Sequence, residues 1–329
     1  MSAKVSICVP VYNVEKYIAR CARSLLGQTM AADCEFIFVE DCSKDKTLPV
    51  LREVVSEYPQ LKSQVRIVCH EKNQGSAKTR NDAARLATGD FVLQVDSDDW
   101  MEPDMIERLY EVAVENNADL TCSEIYLEWG NGARETIHFP SDVGNTCDTY
   151  NHFDFGILYS SLCNKLIRRE LLMQDGILSK AGITQWDDLQ EATKLRTIAR
   201  KIVFVRKPLY HYVLSNASSV SSNMRESAIL EQAMSAGIVA DFFEKSGMSD
   251  VKKRALEVLK VQAKSPFLLG KSCFNIKMWR KTFPEVNDVA FYQPRTKLLT
   301  RIGYWLAAHH CDLFVAVIFS LRRLVKRIK

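Results

Sequence analysis

Within the first 125 residues an apolar run breaks into polar residues and gives way to an amphipathic stretch, again and again, and that alternation leaves few folds open. Val5 to Val11 reads as the first strand, after which Val14, Tyr17, Ile18, Cys21 and Leu25 recur at helical spacing with Asn13 as N-cap. Phe36-Ile37-Phe38-Val39 is a second strand ending at Glu40-Asp41-Cys42-Ser43, before a helix near Leu48 to Tyr58 that carries Pro49 in its first turn. Val65 to Cys69 is a third strand, followed by a loop from His70 to Gly75. A helix from Ser76 to Thr88, with Gly89 as its C-cap, leads to the strand Phe91 to Val95. Another helix follows Pro103, and a strand lies near Leu120-Thr121-Cys122. The pattern predicts an α/β fold with a mostly parallel central sheet flanked by helices. Ligands then gather at the carboxyl ends of the strands, where strand order reverses.

Asp96-Ser97-Asp98-Asp99 stands at one such end. In extended backbone residues two apart share a side, so Asp96 and Asp98 are expected to face one pocket, where like charges repel unless a cation or proton stands between them. Oxygen-only ligands suit magnesium or manganese, which share their shell with substrate phosphates, so the run points to a metal-bound diphosphate. A second reading is an acidic turn in which Trp100 caps the core and Asp99 starts a helix. Glu40-Asp41 closes another strand, so acids far apart in sequence are expected to converge on one crevice, which favours the metal.

A longer series of motifs resembles the family 2 glycosyltransferases, whose nucleotide-sugar-binding fold is called GT-A. It runs through Ser6-Ile7-Cys8-Val9-Pro10-Val11-Tyr12-Asn13, Ser24-Leu25-Leu26-Gly27-Gln28-Thr29, Val39-Glu40-Asp41-Cys42-Ser43, Asn73-Gln74-Gly75-Ser76-Ala77 with Arg80-Asn81, and Asp96-Ser97-Asp98-Asp99-Trp100. It returns at Asn164-Lys165-Leu166, Trp186-Asp187-Asp188, Leu209-Tyr210-His211-Tyr212 and Ser218-Ser219-Val220-Ser221. The resemblance covers roughly the first 220 residues. It implies that Pro10, Tyr12 and Asp41 hold the nucleotide base, usually uracil, that Arg80 lies beside the nucleotide, and that Asp96 approaches the ribose. Ser97 belongs to the same nucleotide-sugar-binding set. Asp98 is implied as the ligand of a manganese or magnesium ion that bridges the diphosphate. One departure stands out: the family usually has two aspartates and then a glycine where this chain has Glu40, Asp41 and Cys42. The second acid is kept, and the tight glycine turn is left open.

Transfer of a sugar from a nucleotide diphosphate also needs a base for the acceptor hydroxyl. The resemblance assigns that role to Asp188, the second acid of Asp187-Asp188, with Asp187 and an apolar wall such as Trp186 raising its pKa. Read without the family, the two acids only begin a helix running to Ile198, where acids favour the N-terminal dipole. Lys165, in the strand-like stretch Leu162 to Ile167, reads equally as a group near an acceptor or phosphate and as a solvated lysine. The chain has neither the Gln-x-x-Arg-Trp element nor the spans of processive synthases, so one hexosyl or N-acetylhexosaminyl unit per encounter is expected, with inversion implied by the resemblance. A nucleotidyltransferase would need a basic glycine-rich loop where Val9-Pro10-Val11-Tyr12-Asn13 stands. A non-catalytic, membrane-associated sugar-nucleotide binder would keep Asp41 and Asp98 and tolerate loss of Asp188.

The ten cysteines lie no closer than eight positions apart, which gives no zinc pattern, and Cys8, Cys21 and Cys69 read as small hydrophobes. Met1-Ser2-Ala3-Lys4 leads straight into a strand, so no signal peptide is expected and the chain reads as cytoplasmic. Of 44 basic residues against 40 acidic, Arg322, Arg323, Lys326, Arg327 and Lys329 supply five; without them the count is 39 against 40, a net charge of −1. Positive charge is thus local, which excludes a nucleic-acid-binding body. Leu313, Val317, Leu321, Leu324 and Ile328 share a helical stripe opposite those cations, with Tyr304 and Trp305 upstream as interfacial aromatics. The tail reads as an amphipathic helix lying peripherally on an anionic cytoplasmic membrane face, or as one packed on its own protein or a second subunit. The expected divisions are a GT-A catalytic domain over 1–222, a helical accessory region over 223–300 with helices near Ala228 to Phe243 and Val251 to Leu269, and the basic helix over 301–329. A glycan or lipid-linked acceptor, in surface polysaccharide or glycolipid assembly, completes the expectation.

Overall fold

A computed structural model describes residues 3–141, 146–147, 156–216, 225–270, 272–293 and 296–328, with backbone alone for 146–147 and 321–328. Its contacts divide it into two units, residues 1–218 and 219–329. The expected motif Ser218-Ser219-Val220-Ser221 and the side chains of the basic tail lie outside the described residues.

The first unit opens with β1 (Val5–Val11), α1 (Ile18–Leu26), β2 (Cys34–Glu40), α2 (Thr47–Ser56), β3 (Val65–Cys69), α3 (Ser76–Leu86) and β4 (Phe91–Gln94). It continues with β5 (Trp100–Met101), α4 (Met105–Glu115), β6 (Leu120–Glu128), β7 (Arg134–Ile137), β8 (Thr146–Cys147), α5 (Ile157–Ser160), β9 (Lys165–Arg168), α6 (Arg169–Leu172), α7 (Asp187–Ile198) and β10 (Ile202–Val213). All ten strands join one sheet in the order β3-β2-β1-β4-β9-β6-β10-β5, with β7 on β6 and β8 on β10. The first four are parallel, as the alternation requires, while β9 enters antiparallel between β4 and β6. The second half is therefore mixed, and β10 runs parallel to β6 and antiparallel to β5. This is the expected helix-flanked α/β sheet. Its order turns around β1, so the carboxyl ends of β1 and β4 lie side by side at the switch point. Both are apolar on each face because helices cover both: Val5, Ile7, Cys8, Val9, Val92 and Leu93 are all fully buried.

Three local readings give way to longer-range contacts. Asn13 does not cap a helix, since α1 opens only at Ile18. Its backbone is left-handed, its N–H donates to Ser43 Oγ at 3.0 Å and its Oδ1 accepts the Lys44 N–H at 2.8 Å, so it clasps the loop leaving β2. Gly89 does not end α3, which stops at Leu86 with Ala87 already extended. Glycine is required there by proximity: a Cβ would stand 2.9 Å from Ser6 N and 3.0 Å from Val5 C, atoms of the adjoining β1 segment. Cys69 is exposed rather than packed, because β3 is the sheet's edge.

The second unit is helical, as expected, with α8 (Glu226–Lys245), α9 (Asp250–Lys264), α10 (Pro266–Leu269), α11 (Ile276–Lys281), α12 (Leu298–Ala308) and α13 (Asp312–Ile328). α12 spans the expected division at 300/301. Ser249 caps α9 by accepting the Lys252 N–H at 3.3 Å, and Pro266, which cannot donate, separates α9 from α10. Ile229, Val261, Phe267, Trp279, Tyr304 and Phe319 form its core. Tyr304 is therefore a core residue and not an interfacial one; its hydroxyl donates to Ser265 Oγ at 2.7 Å. Lys264 is drawn into this core with Nζ 4.1 Å from the Trp279 ring centre, donating to Phe283 O at 3.1 Å and to Asn287 Oδ1, and burial pushes its pKa down to about 7.

Gly89→Ala tests the junction of β1 and β4. Because the clash is with backbone, which cannot swing away, the substitution is expected to destabilise the fold by about 1–3 kcal/mol in urea titration, as overpacking does.

Candidate active site

β4 ends at Gln94, and Asp96 to Asp99 form a tight turn closed by the Asp99 N–H donating to Asp96 O at 3.1 Å. The extended geometry expected for Asp96 and Asp98 is not kept, for a reason that lies far along the chain. Asp99 is buried, with Oδ2 accepting the Tyr210 hydroxyl at 2.8 Å and Oδ1 accepting the Val213 N–H at 2.7 Å. Asn216 Nδ2 donates to Asp98 Oδ2 at 2.9 Å. The end of β10 thus fastens the acid turn at three points. Asp99 starts no helix, since α4 opens at Met105.

Asp96, Asp99 and Cys163 offer ligand atoms within 4.8 Å of one another. Both Asp99 oxygens are already occupied, and burial, with Asp99 and Asp96 adding to it, pushes the Cys163 thiol well up, so this trio is a poor home for a hard cation. Asp98 is different. It is half-buried, no cation stands at ion-pair distance from it among the described residues, and burial followed by the charge of Asp96 pushes its pKa up. A carboxylate with uncompensated charge beside a second one is the donor chemistry that a divalent ion satisfies, so the residues fit a metal at Asp98.

Arg80, on α3, joins the acids. Its Nη2 donates to Asp96 Oδ1 at 2.9 Å and its Nε stands 3.7 Å from Asp187 Oδ2, which also accepts the Ser76 hydroxyl at 3.2 Å. Burial opposes its charge, but Asp96, Asp187 and Asp188 outweigh that and raise its pKa. Its Nε and Nη1 groups are buried without a hydrogen-bond partner among the described residues. Asp188 heads α7, with Oδ1 accepting the Leu189 N–H at 2.7 Å. Withdrawal from water and then Asp187 push its pKa up to about 7, with Arg80 opposing. Trp186, just before it, is left-handed, so the chain turns sharply as it delivers the two acids.

Asp41, at the end of β2, is buried, with Oδ1 accepting the Gln74 N–H at 2.7 Å and Oδ2 the Gly75 N–H at 2.9 Å. His70 Nδ1 is 2.7 Å from Oδ1 as well. The carboxylate therefore organises the 70–75 loop, and Gly75 serves the turn with φ of +84°. Cys42 stands where the family has glycine and adopts the left-handed backbone glycine would favour, with φ of +62°. Tyr12, just beyond β1, is 43% exposed and Pro10 is half-buried beside it, while Ser97 is buried in the acid turn. Lys165 is neither solvated nor aimed at a phosphate: it is buried and its Nζ donates to Leu158 O, Ser161 O and Asn164 Oδ1 at 2.6–2.7 Å. Burial pushes its pKa down to about 8.

Sequence reasoning missed a supporting network. Gln94 donates to Glu191 Oε1, Glu191 Oε2 accepts the Ser179 N–H at 3.2 Å, and Ser179 Oγ donates to Asp187 O at 2.6 Å. Asn81 Nδ2 donates to Ser179 O at 2.8 Å, tying α3 to the same hub. The available signal was Gln94 itself, a polar residue inside the apolar run Phe91 to Val95. His211 was quoted only as a motif residue. It is fully buried, stacked on Trp100 at 3.4 Å and near Tyr126 at 4.7 Å, with its ring nitrogens 3.0 Å from Glu128 and 2.9 Å from Glu102.

Comparison with known proteins gives the family and the fold. The family described as Glycosyl transferase family 2 matches residues 6–176. The chain belongs to that family. Among its relatives, putative glycosyltransferase EpsH of Bacillus subtilis is 29% identical over 224 residues, 66% of this chain and 62% of EpsH. Poly(ribitol-phosphate) beta-glucosyltransferase of Bacillus spizizenii is 30% identical over 212 residues, 64% of this chain and 32% of that protein. The chain thus spans less than two thirds of either relative. Residues 1–349 of S. aureus TarS in complex with UDP-GlcNAc superpose with a TM-score of 0.71 at 21% identity, covering 97% of this chain and 92% of that one, which shows the GT-A fold. A mannosyltransferase from Pyrobaculum calidifontis in complex with GDP-Man and Mn2+ superposes with a TM-score of 0.53 at 17% identity, covering 95% of this chain and 88% of that one.

Cys42→Gly in this family 2 member removes a Cβ from left-handed backbone. The relief of about 1–2 kcal/mol exceeds the added chain entropy of glycine, so stability in urea titration is expected to rise by about 0.5–1 kcal/mol.

Proposed function

We propose that this family 2 glycosyltransferase moves one hexosyl or N-acetylhexosaminyl unit per encounter from a UDP-linked donor to a hydroxyl of a glycan or lipid-linked acceptor, with inversion, in surface polysaccharide or glycolipid assembly. The observation that carries the reading is Asp188, a half-buried carboxyl held near neutral pKa at the head of a helix, next to an arginine-bridged acid cluster. A general base works best with a pKa near the operating pH. The complexes of TarS with UDP and UDP-GlcNAc, and the polymer named for the Bacillus spizizenii relative, support the donor and acceptor classes.

Each residue then has a task. Tyr12 offers an exposed ring on which a nucleobase stacks, with Pro10 bordering it. Asp41 acts on the base through the loop it orders, since its own oxygens hold Gln74 and Gly75. Arg80, held between Asp96 and Asp187, lies beside the nucleotide, and Asp96 and Ser97 line the ribose side. Asp98 would hold manganese or magnesium, which when bound offsets the charge gathering on the leaving diphosphate. Asp188 takes the proton from the acceptor hydroxyl as that oxygen attacks the anomeric carbon. A single base facing a single leaving group gives one displacement and an inverted centre. Peripheral residence on the cytoplasmic membrane face belongs to the same reading, because a lipid-linked acceptor is presented there.

Transfer from a panel of UDP-sugars, with manganese or magnesium supplied, tests this. Asp188→Asn is expected to lower the transfer rate by about 10²–10⁴, the usual weight of general-base catalysis, while leaving donor binding by thermal shift in place. The base must be unprotonated, so the wild-type rate is expected to rise with pH along a limb centred near pH 7, and that limb is absent from the variant. Asp98→Asn is expected to abolish the metal-dependent part of the UDP thermal shift. Transfer that survives Asp188→Asn unchanged would mean that these acids only bind the donor.

A further inference from the structure

Among the described residues of the second unit, α13 exposes an apolar face. α13 packs through Val315 and Phe319, both buried, and the Phe319 ring lies so close to α12 that a Cβ on Gly303 would fall 2.5 Å from it. Leu313, Phe314 and Val317 point elsewhere and are 77%, 62% and 51% exposed. Leu313, Val317, Leu324 and Ile328 fall on one stripe at helical spacing, so the apolar stripe legible in the sequence is not the face its own unit uses as core. Arg322, Arg323, Lys326 and Arg327 fall among the last residues of the same helix and Lys329 follows in sequence, with no acid after Asp312. No helix among the described residues is long and apolar enough to cross a membrane.

We propose that the outward face of α13 seats on an anionic phospholipid surface, with Leu313, Phe314 and Val317 entering the boundary between headgroups and acyl chains and the basic end meeting lipid phosphates. The purpose of such a seat rests on the lipid-linked acceptor proposed above; the surface itself does not. Charge decides between lipid and a second copy of the chain as occupant. A second copy of α13 offers those cations one acid, Asp312, which Arg280 already holds, whereas an anionic bilayer neutralises them. An interfacial helix of this kind combines a modest apolar face with cations, neither of which holds a membrane alone.

The test is co-sedimentation of the full chain with phosphatidylcholine vesicles, with and without phosphatidylglycerol, at low and high salt. Binding is expected only when phosphatidylglycerol is present, and to weaken about tenfold or more at high salt. Leu313→Glu combined with Val317→Glu changes exposed positions only, so folding by circular dichroism and transfer to a soluble acceptor are expected to stay intact while vesicle binding falls about tenfold or more. Arg322→Glu with Lys326→Glu is expected to lose the phosphatidylglycerol dependence. Equal binding to neutral vesicles, or undiminished binding by the Leu313/Val317 variant, overturns the proposal. So does a dimer in size exclusion that this variant dissolves, with no vesicle binding by the wild type. Asp188→Asn separates the two claims, because it is expected to bind vesicles as the wild type does whatever its transfer rate.

Discussion

A single guanidinium makes the crevice possible. Asp96, Asp98, Asp187 and Asp188 are brought together by two chain segments some ninety residues apart, and buried like charges on that scale oppose folding unless a positive group lies among them. Arg80 supplies it, hydrogen-bonded to Asp96 at 2.9 Å and 3.7 Å from Asp187. It does not neutralise all four equally. Asp96 is bonded directly and Asp187 is approached and held by Ser76, whereas among the described residues Asp98 and Asp188 have no such ion pair; burial first, and then a neighbouring acid, raises the pKa of both, as burial also raises that of Asp187. The same arginine thus bridges the two acid segments, with its Nη1 group buried and without a hydrogen-bond partner among the described residues.

The arginine can act this way only if the acids are held still, and the holding comes from distant chain. The acid turn is completed by Tyr210, Val213 and Asn216, more than a hundred residues later, so it has its observed shape only once β10 is paired with β6 and β5. On the other side, Glu191 and Ser179 tie the head of α7 to Gln94, two residues before Asp96. The Asp96–Asp99 turn and the Asp187-Asp188 pair are therefore both fixed to the end of β4, by contacts that come from distant parts of the sequence. Such over-determined support is what keeps reacting groups within the small tolerance that positioning requires.

This also explains what was legible in the residues. Strands β1 to β4 and helix α7 could be read because their signals are local, a run of apolar residues or an acid pair followed by helical spacing. Asn13, Gly89 and Asp99 misled because local cap chemistry was read where a contact across the sheet decides: Ser43 for Asn13, Ser6 for Gly89, Tyr210 for Asp99. Lys165 misled for the same reason, since nothing beside it in sequence announces that three oxygens close around its ammonium. Asp41 stands out in the sequence as an acid at a strand end, but its hold on the backbone of Gln74 and Gly75 lies more than thirty residues away and carries no pattern of its own. Motif order carried the rest, because it encodes which distant segments meet without saying how.

Backbone strain marks the same crevice independently of charge. Asn13 after β1, Cys42 after β2, Gly75 before α3 and Trp186 before α7 all have positive φ, at +50°, +62°, +84° and +63°. Three of these are not glycine, and each costs about 1–3 kcal/mol in such a conformation. The compensation is visible: Asn13 is clasped to Ser43 and Lys44, Glu40 Oε1 accepts the Ser43 N–H beside Cys42, and the Gln190 N–H donates to Trp186 O at 3.0 Å as α7 begins. Every segment that enters the crevice thus turns sharply at its mouth and is bonded in that turn. The loops are shaped before any donor arrives, so binding has less chain entropy to remove than it would from slack loops. The sheet provides the place, but these turns aim the side chains, and an unstrained sequence on the same sheet would direct Tyr12, Asp41 and Asp188 elsewhere.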